Sequence, residues 1–177
     1  MTWPSRRVGA FVLALLAGMG VGLLVLRRTL RTRGGAVSAN KEIVRRVVEG
    51  VWRDRNFAIV DDLVAEDYAG HDPSQPETIQ GRDGFKQFAA MYQTAFDDAT
   101  VTIDDQIAEG DQVVTRWTGR GTHTGELMGI APTGKEVTVS GMTISRLAGG
   151  KIAEEWELMD VLGMLVQLGA VPQPATA

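Results

Sequence analysis

Few side chains in this sequence titrate near neutral pH or could attack a substrate. There are two histidines, His71 and His123, and no cysteine, so a thiolate nucleophile, a disulfide framework and a thiolate zinc site are all excluded. Neither histidine sits in an HExxH spacing, and the chain has no GxSxG elbow, no Walker loop and no GxGxxG after a strand. Two classes stay open: acid–base chemistry without metal or cofactor, and simple ligand binding.

For proton transfer the interesting groups are Glu154, Glu155 and Glu157. Alternation along a strand puts Glu155 and Glu157 on one face and Glu154 on the other. Glu157 lies between Trp156 and Leu158, and a carboxylate beside apolar groups rises toward the pKa a base needs at neutral pH. The bland alternative is a solvated acidic edge. His71 stands next to Asp72, which could hold one imidazole tautomer. His123 precedes Thr124-Gly125; each histidine is either a pocket residue or an ordinary structural one. Tyr92, Trp117 and Met128 are candidates for an apolar pocket wall, or for plain core.

The elements that must carry these residues follow from periodicity. Asn40 reads as an N-cap, followed by Ile43, Val44, Val47, Val48, Val51 and Trp52 at helical spacing. A short helix follows near 58–63, and Tyr68 to Thr78 reads as a loop. Gly81 opens a third helix with the stripe Phe85, Phe88, Ala89, Tyr92 and Phe96. Period-2 patterns then predict strands over 101–107, 113–118, 137–147 and 152–159, the last two joined by a glycine turn at Gly149-Gly150. A closing helical turn spans 160–167, with Gly169 as its cap. Helices followed by successive strands predict an α+β domain over 40–171, with a loose tail at 172–177.

The N-terminus is of another kind. Residues 1–39 hold six arginines and no acid, leaving 12 basic and 22 acidic side chains beyond them within an overall charge of −4. A domain that acidic repels phosphate backbones, so nucleic acid is not an expected partner. After a basic tail at 1–7, residues 8–26 form an uninterrupted apolar run of 19 residues. As a helix it spans roughly 28 Å, the thickness of a bilayer core. Arg27, Arg28, Arg31 and Arg33 just beyond it favour a retained single-pass anchor over a cleaved signal. They also place the following domain in the cytoplasm. Residues 27–39 read as a basic, flexible linker.

Four segments together carry a resemblance. Tyr68-Ala69-Gly70-His71-Asp72-Pro73, Gly125 to Lys135, Gly150 to Glu157 and the closing Gln167-Leu168-Gly169 resemble the SnoaL-like polyketide ("ester") cyclases of the nuclear-transport-factor-2-like superfamily. The resemblance covers about 40–171. It implies a cone-shaped domain, with N-terminal helices packed on a strongly bent antiparallel sheet around a pocket, here preceded by one transmembrane helix. It also implies ring closure by intramolecular aldol chemistry on a small, apolar, polyketide-like carbonyl compound, with no cofactor. The family's acid/base aspartate matches Glu157, and a histidine on the preceding strand matches Thr143. His71 and His123 match frequent family positions and would orient the substrate oxygen. Tyr92, Trp117, Met128, Thr143 and Trp156 would line the pocket. The outer sheet face in such folds often packs on a second copy, which allows a homodimer. The competing expectation is a non-catalytic, membrane-tethered pocket domain that binds a lipophilic ligand or a partner protein.

Overall fold

The computed structural model describes residues 35–172. The expected membrane span at 8–26 lies outside them, as do most of the linker and the tail from 173. Among the described residues no helix is long and apolar enough to cross a membrane.

The first helix, α1 (residues 35–48), runs straight into a π-helical turn at Glu49–Arg53. Asn40 is inside α1 rather than at its cap, and its side chain donates to the Gly110 carbonyl at 3.2 Å. Val44, Val47 and Val51 form the buried stripe that the periodicity predicts, each burial contributing roughly 1.5–3 kcal/mol. The other elements are α2 (Ala58–Leu63), β1 (Val64–His71), β2 (Ile79–Gln80), α3 (Gly81–Ala95), β3 (Thr100–Glu109), β4 (Gln112–Thr122), β5 (Glu136–Ala148), β6 (Lys151–Met159) and α4 (Val161–Leu168). Asp160 caps α4 by accepting from the Gly163 N–H, and left-handed Gly169 ends it.

Two further expectations need correction. Residues 68–71 belong to strand β1 rather than to a loop. And the sheet is mixed, not wholly antiparallel: its order is β2-β1-β6-β5-β4-β3, and β1 runs parallel to β6. The last four strands form an antiparallel meander whose connections are local. β1 instead pairs with a strand some eighty residues away in sequence, which local pattern cannot disclose.

The register of β6 against β5 shifts near the turn. Leu147 pairs with Ile152 but Arg146 with Glu154, leaving Ala153 as a bulge. The bulge resets the alternation, so Ile152, Glu155, Glu157 and Met159 all face the same cavity. One core cluster joins Val44, Val51, Val60, Tyr68 and Ile152; a second joins Tyr92, Phe96, Val139 and Met164; Trp52 packs on both.

Candidate active site

The inner face of the sheet and helices α1 and α3 enclose a mostly apolar cavity of about 140 Å³. Trp52, Phe85, Phe88 and Trp117 supply much of the wall, and Glu155 and Glu157 enter from β6. Register gives each carboxyl a hydroxyl neighbour on β5, since Ser145 pairs with Glu155 and Thr143 with Glu157.

The two glutamates are held differently. Glu155 accepts from the Ser145 hydroxyl at 2.6 Å and from the Tyr68 hydroxyl at 3.0 Å. Tyr68 reaches it from β1 across Gly70; a Cβ at Gly70 would stand 2.7 Å from the Tyr68 hydroxyl. Burial pushes the Glu155 carboxyl up, while the two hydroxyl bonds pull it back. Glu157 has one such aid, the Thr143 hydroxyl, which itself accepts from Trp117 Nε1–H at 3.0 Å. Gly141 faces Trp117 across the strand pair and leaves room for the indole to lie there. Burial, then the charges of Glu155 and Asp72, push the Glu157 carboxyl up to about 8. Tyr92 completes this end of the cavity. Burial, then Asp72 and Glu157, raise its phenol far above the ordinary range, so it remains a donor.

Of the residues singled out in the sequence, Glu157, Tyr92, Trp117 and Thr143 line this cavity together, and His71 reaches its rim. His71 takes Glu154, not the neighbouring Asp72, as its polar partner: Nε2 lies 3.0 Å from Glu154 Oε1. The imidazole stacks on Trp156 at 5.4 Å. Arg146 grips the other oxygen of Glu154 through Nε and Nη2, and these bonds hold the Glu154 carboxyl below the usual range. Trp156 lines an outer groove instead, alongside Asp72, Pro73 and residues 75–78. His71, Asp72 and Glu157 border both the groove and the cavity, which marks them as the neck between the two.

His123 and Met128 stand outside the cavity lining. His123 is fully buried against Phe96, and its Nδ1 accepts the Thr133 N–H at 3.2 Å. That bond pins the loop between β4 and β5. Met128 is exposed in a tight turn with a φ of 50°.

Sequence reasoning did not single out Tyr68 or Ser145, took Asp72 only as a partner for His71, and gave Glu155 no role beyond being Glu157's face-mate. Read as a strand, Tyr68, Gly70 and Asp72 fall at alternate positions, and all three line the cavity; that spacing was the available signal.

Comparison with known proteins points one way. The family model described as SnoaL-like polyketide cyclase matches residues 42–168. IdmH from Streptomyces antibioticus, assigned as a polyketide cyclase, is 30% identical, with 73% of this chain and 98% of that chain covered and a TM-score of 0.65. TsrD from Streptomyces laurentii is 25% identical over 76% of this chain and 97% of its own, with a TM-score of 0.68. A protein from Jannaschia sp. CCS1 assigned as a SnoaL-like polyketide cyclase shares the fold, with 24% identity, coverage of 77% and 95% and a TM-score of 0.71. No curated protein matches.

Proposed function

The chain belongs to the SnoaL-like polyketide cyclase family, and from that premise we propose that it is a cofactor-independent cyclase- or isomerase-type enzyme acting on a small, apolar carbonyl compound. One observation carries the reading: of the two glutamates in an apolar cavity, Glu157 has its carboxyl pushed up to about 8. A group so poised exists in both protonation states near neutral pH, as general acid–base catalysis requires.

The chemistry balances on that one group. The Glu157 carboxylate removes a proton α to the carbonyl, giving an enolate. In a cyclisation the enolate carbon bonds to a second carbonyl carbon of the same molecule. The oxygen of that carbonyl becomes an alkoxide and takes the proton back from Glu157. In an isomerisation the proton returns to another carbon. The cavity volume is close to that of an engineered apolar cavity of about 150 Å³ that binds benzene, so a compound of one ring suits it.

The first step can be tested without knowing the substrate. The full-length chain is mixed in D2O with a panel of small aryl and cyclic ketones, and deuterium entry at the α carbon is followed by NMR. Exchange is expected to rise with pH through about 8. Glu157→Gln is expected to lower it by about 10²–10⁴-fold. Exchange that Glu157→Gln leaves unchanged sinks the proposal. Ketones that bind without any exchange shift it to a ligand-binding module.

A further inference from the structure

In the cavity lining two polar atoms lie shut off from solvent with no hydrogen-bond partner of good geometry in the protein: Asp72 Oδ2 and the Tyr92 hydroxyl. An unsatisfied buried group of this kind costs about 1–3 kcal/mol. Two together in the cavity lining point to a ligand that satisfies them.

The geometry is already fixed. Asp72 is 9% exposed and Tyr92 8%. The other oxygen of Asp72 is engaged, since Oδ1 accepts the Ser74 N–H at 2.7 Å. Its carbonyl accepts the Gln75 N–H at 3.0 Å. This tight turn locks the carboxyl and leaves Oδ2 as a free acceptor. Tyr92 is held edge-on by Phe88 at 5.3 Å. The Ser74 hydroxyl lies beside the phenol. Both Asp72 and Tyr92 line the cavity, and each feels the charge of Glu157 or imposes its own on it.

We propose that Asp72 and Tyr92 form a second polar subsite that reads a hydroxyl group on the ligand. A hydroxyl is the smallest group that answers both: it donates to Asp72 Oδ2 and accepts from the Tyr92 hydroxyl. An ether or a bare ring leaves the carboxylate oxygen unpaired. The substrate class thereby narrows from an apolar carbonyl compound to a hydroxylated one. This rests on the cavity being the ligand site, and not on Glu157 being the base.

Four probes separate the possibilities: acetophenone, 4-hydroxyacetophenone, 4-methoxyacetophenone and benzylamine. Their affinities for the full-length chain are read from the indole N–H resonances of Trp52 and Trp117, which line the cavity. The hydroxy ketone is expected to bind about tenfold more tightly than the other two ketones, as for one hydrogen bond to a charged group. Asp72→Ala and Tyr92→Phe should each remove most of that preference. Tyr92→Phe preserves the ring packing, so it decides the matter if Asp72→Ala fails to fold. Equal affinities among the three ketones overturn the subsite while leaving the acid–base proposal standing. A preference that survives both Asp72→Ala and Tyr92→Phe overturns it as well, as does benzylamine binding most tightly through Asp72. If no ketone binds, both proposals fall. Conversely, loss of α-exchange as evidence for Glu157 leaves the hydroxyl preference intact.

Discussion

The raised Glu157 carboxyl has a consequence for stability that is measurable without any ligand. An ordinary glutamate titrates near 4.5, whereas the folded site holds Glu157 at about 8. Below 4.5 the residue is protonated in both folded and unfolded chains and has no effect. Between 4.5 and about 8 the unfolded chain has released its proton and the folded chain has kept it. The folded state then binds more protons, so stability falls as pH rises across this window. Above about 8 the penalty is complete. At about 1.4 kcal/mol per pKa unit its ceiling is roughly 5 kcal/mol. Glu157 also borders the outer groove, where water screens it, so about 2–3 kcal/mol is the expected size. Glu157→Gln removes the titration while keeping the shape. Denaturant unfolding of both full-length proteins from pH 5 to 9 measures the effect. The variant should gain on the wild type by about 2–3 kcal/mol across that range, chiefly between pH 5 and 8. Glu155 is raised for its own reasons in both proteins, so it largely cancels in the difference. If the two stability curves run parallel, Glu157 is a solvated carboxylate, and the physical basis for its role as a base is gone.

Three other outcomes follow from named contacts. Thr143→Val deletes the hydrogen bond that lowers the Glu157 carboxyl, so the α-exchange profile should move to higher pH; a rise of one in pKa cuts the carboxylate fraction below the midpoint about tenfold. An unmoved profile would mean that the hydroxyl does not act on Glu157. The apolar run at 8–26 is proposed to hold the protein in a membrane with its domain in the cytoplasm. Carbonate-washed membranes should then retain the full-length chain, and its domain should resist protease added to the outside of intact cells; release into the wash would refute the anchor. The outer sheet face leaves Met142, Ile144, Trp156 and Leu158 exposed in paired register, a surface suited to a second copy. Ile144→Lys with Leu158→Lys should halve the mass seen by light scattering of the detergent-solubilised protein, and a monomeric wild type would end that idea.

What could be read from the sequence was whatever repeats locally. The valine stripe of α1, the aromatic stripe of α3 and the Gly149-Gly150 turn each announce themselves within a few residues, and each is where periodicity places it. Strand β1 was hidden because Tyr68 to His71 mixes glycine and polar residues and runs into two prolines, while its main partner lies at the other end of the domain. The site shows the same division. Alternation alone puts Glu155 and Glu157 on one face. Their partners cannot be counted back from the turn, however. With Ala148 opposite Lys151, simple counting sets Ile144 against Glu155 and Met142 against Glu157. The bulge at Ala153 shifts the pairing by one residue and brings Ser145 and Thr143 instead. A single unpaired residue thus decides whether the two carboxyls meet methyl groups or hydroxyls, and nothing in the local pattern discloses it.

That shift also explains how two glutamates on the same face come to differ. Both are desolvated by the same cavity, so burial alone would push both up together. Glu155 receives two hydroxyl donors, one from β5 and one across the parallel pairing from β1, which offset part of that cost. Glu157 receives one, and lies within the fields of Glu155 and Asp72 besides. Two nearby carboxyls do not ionise together readily. Charge on Glu155 helps keep the proton on Glu157. Neighbouring positions on one strand thus acquire separate tasks through their hydrogen-bond partners: an inner carboxyl fixed by Tyr68 and Ser145, and an outer one at the neck that is free to exchange its proton with whatever enters.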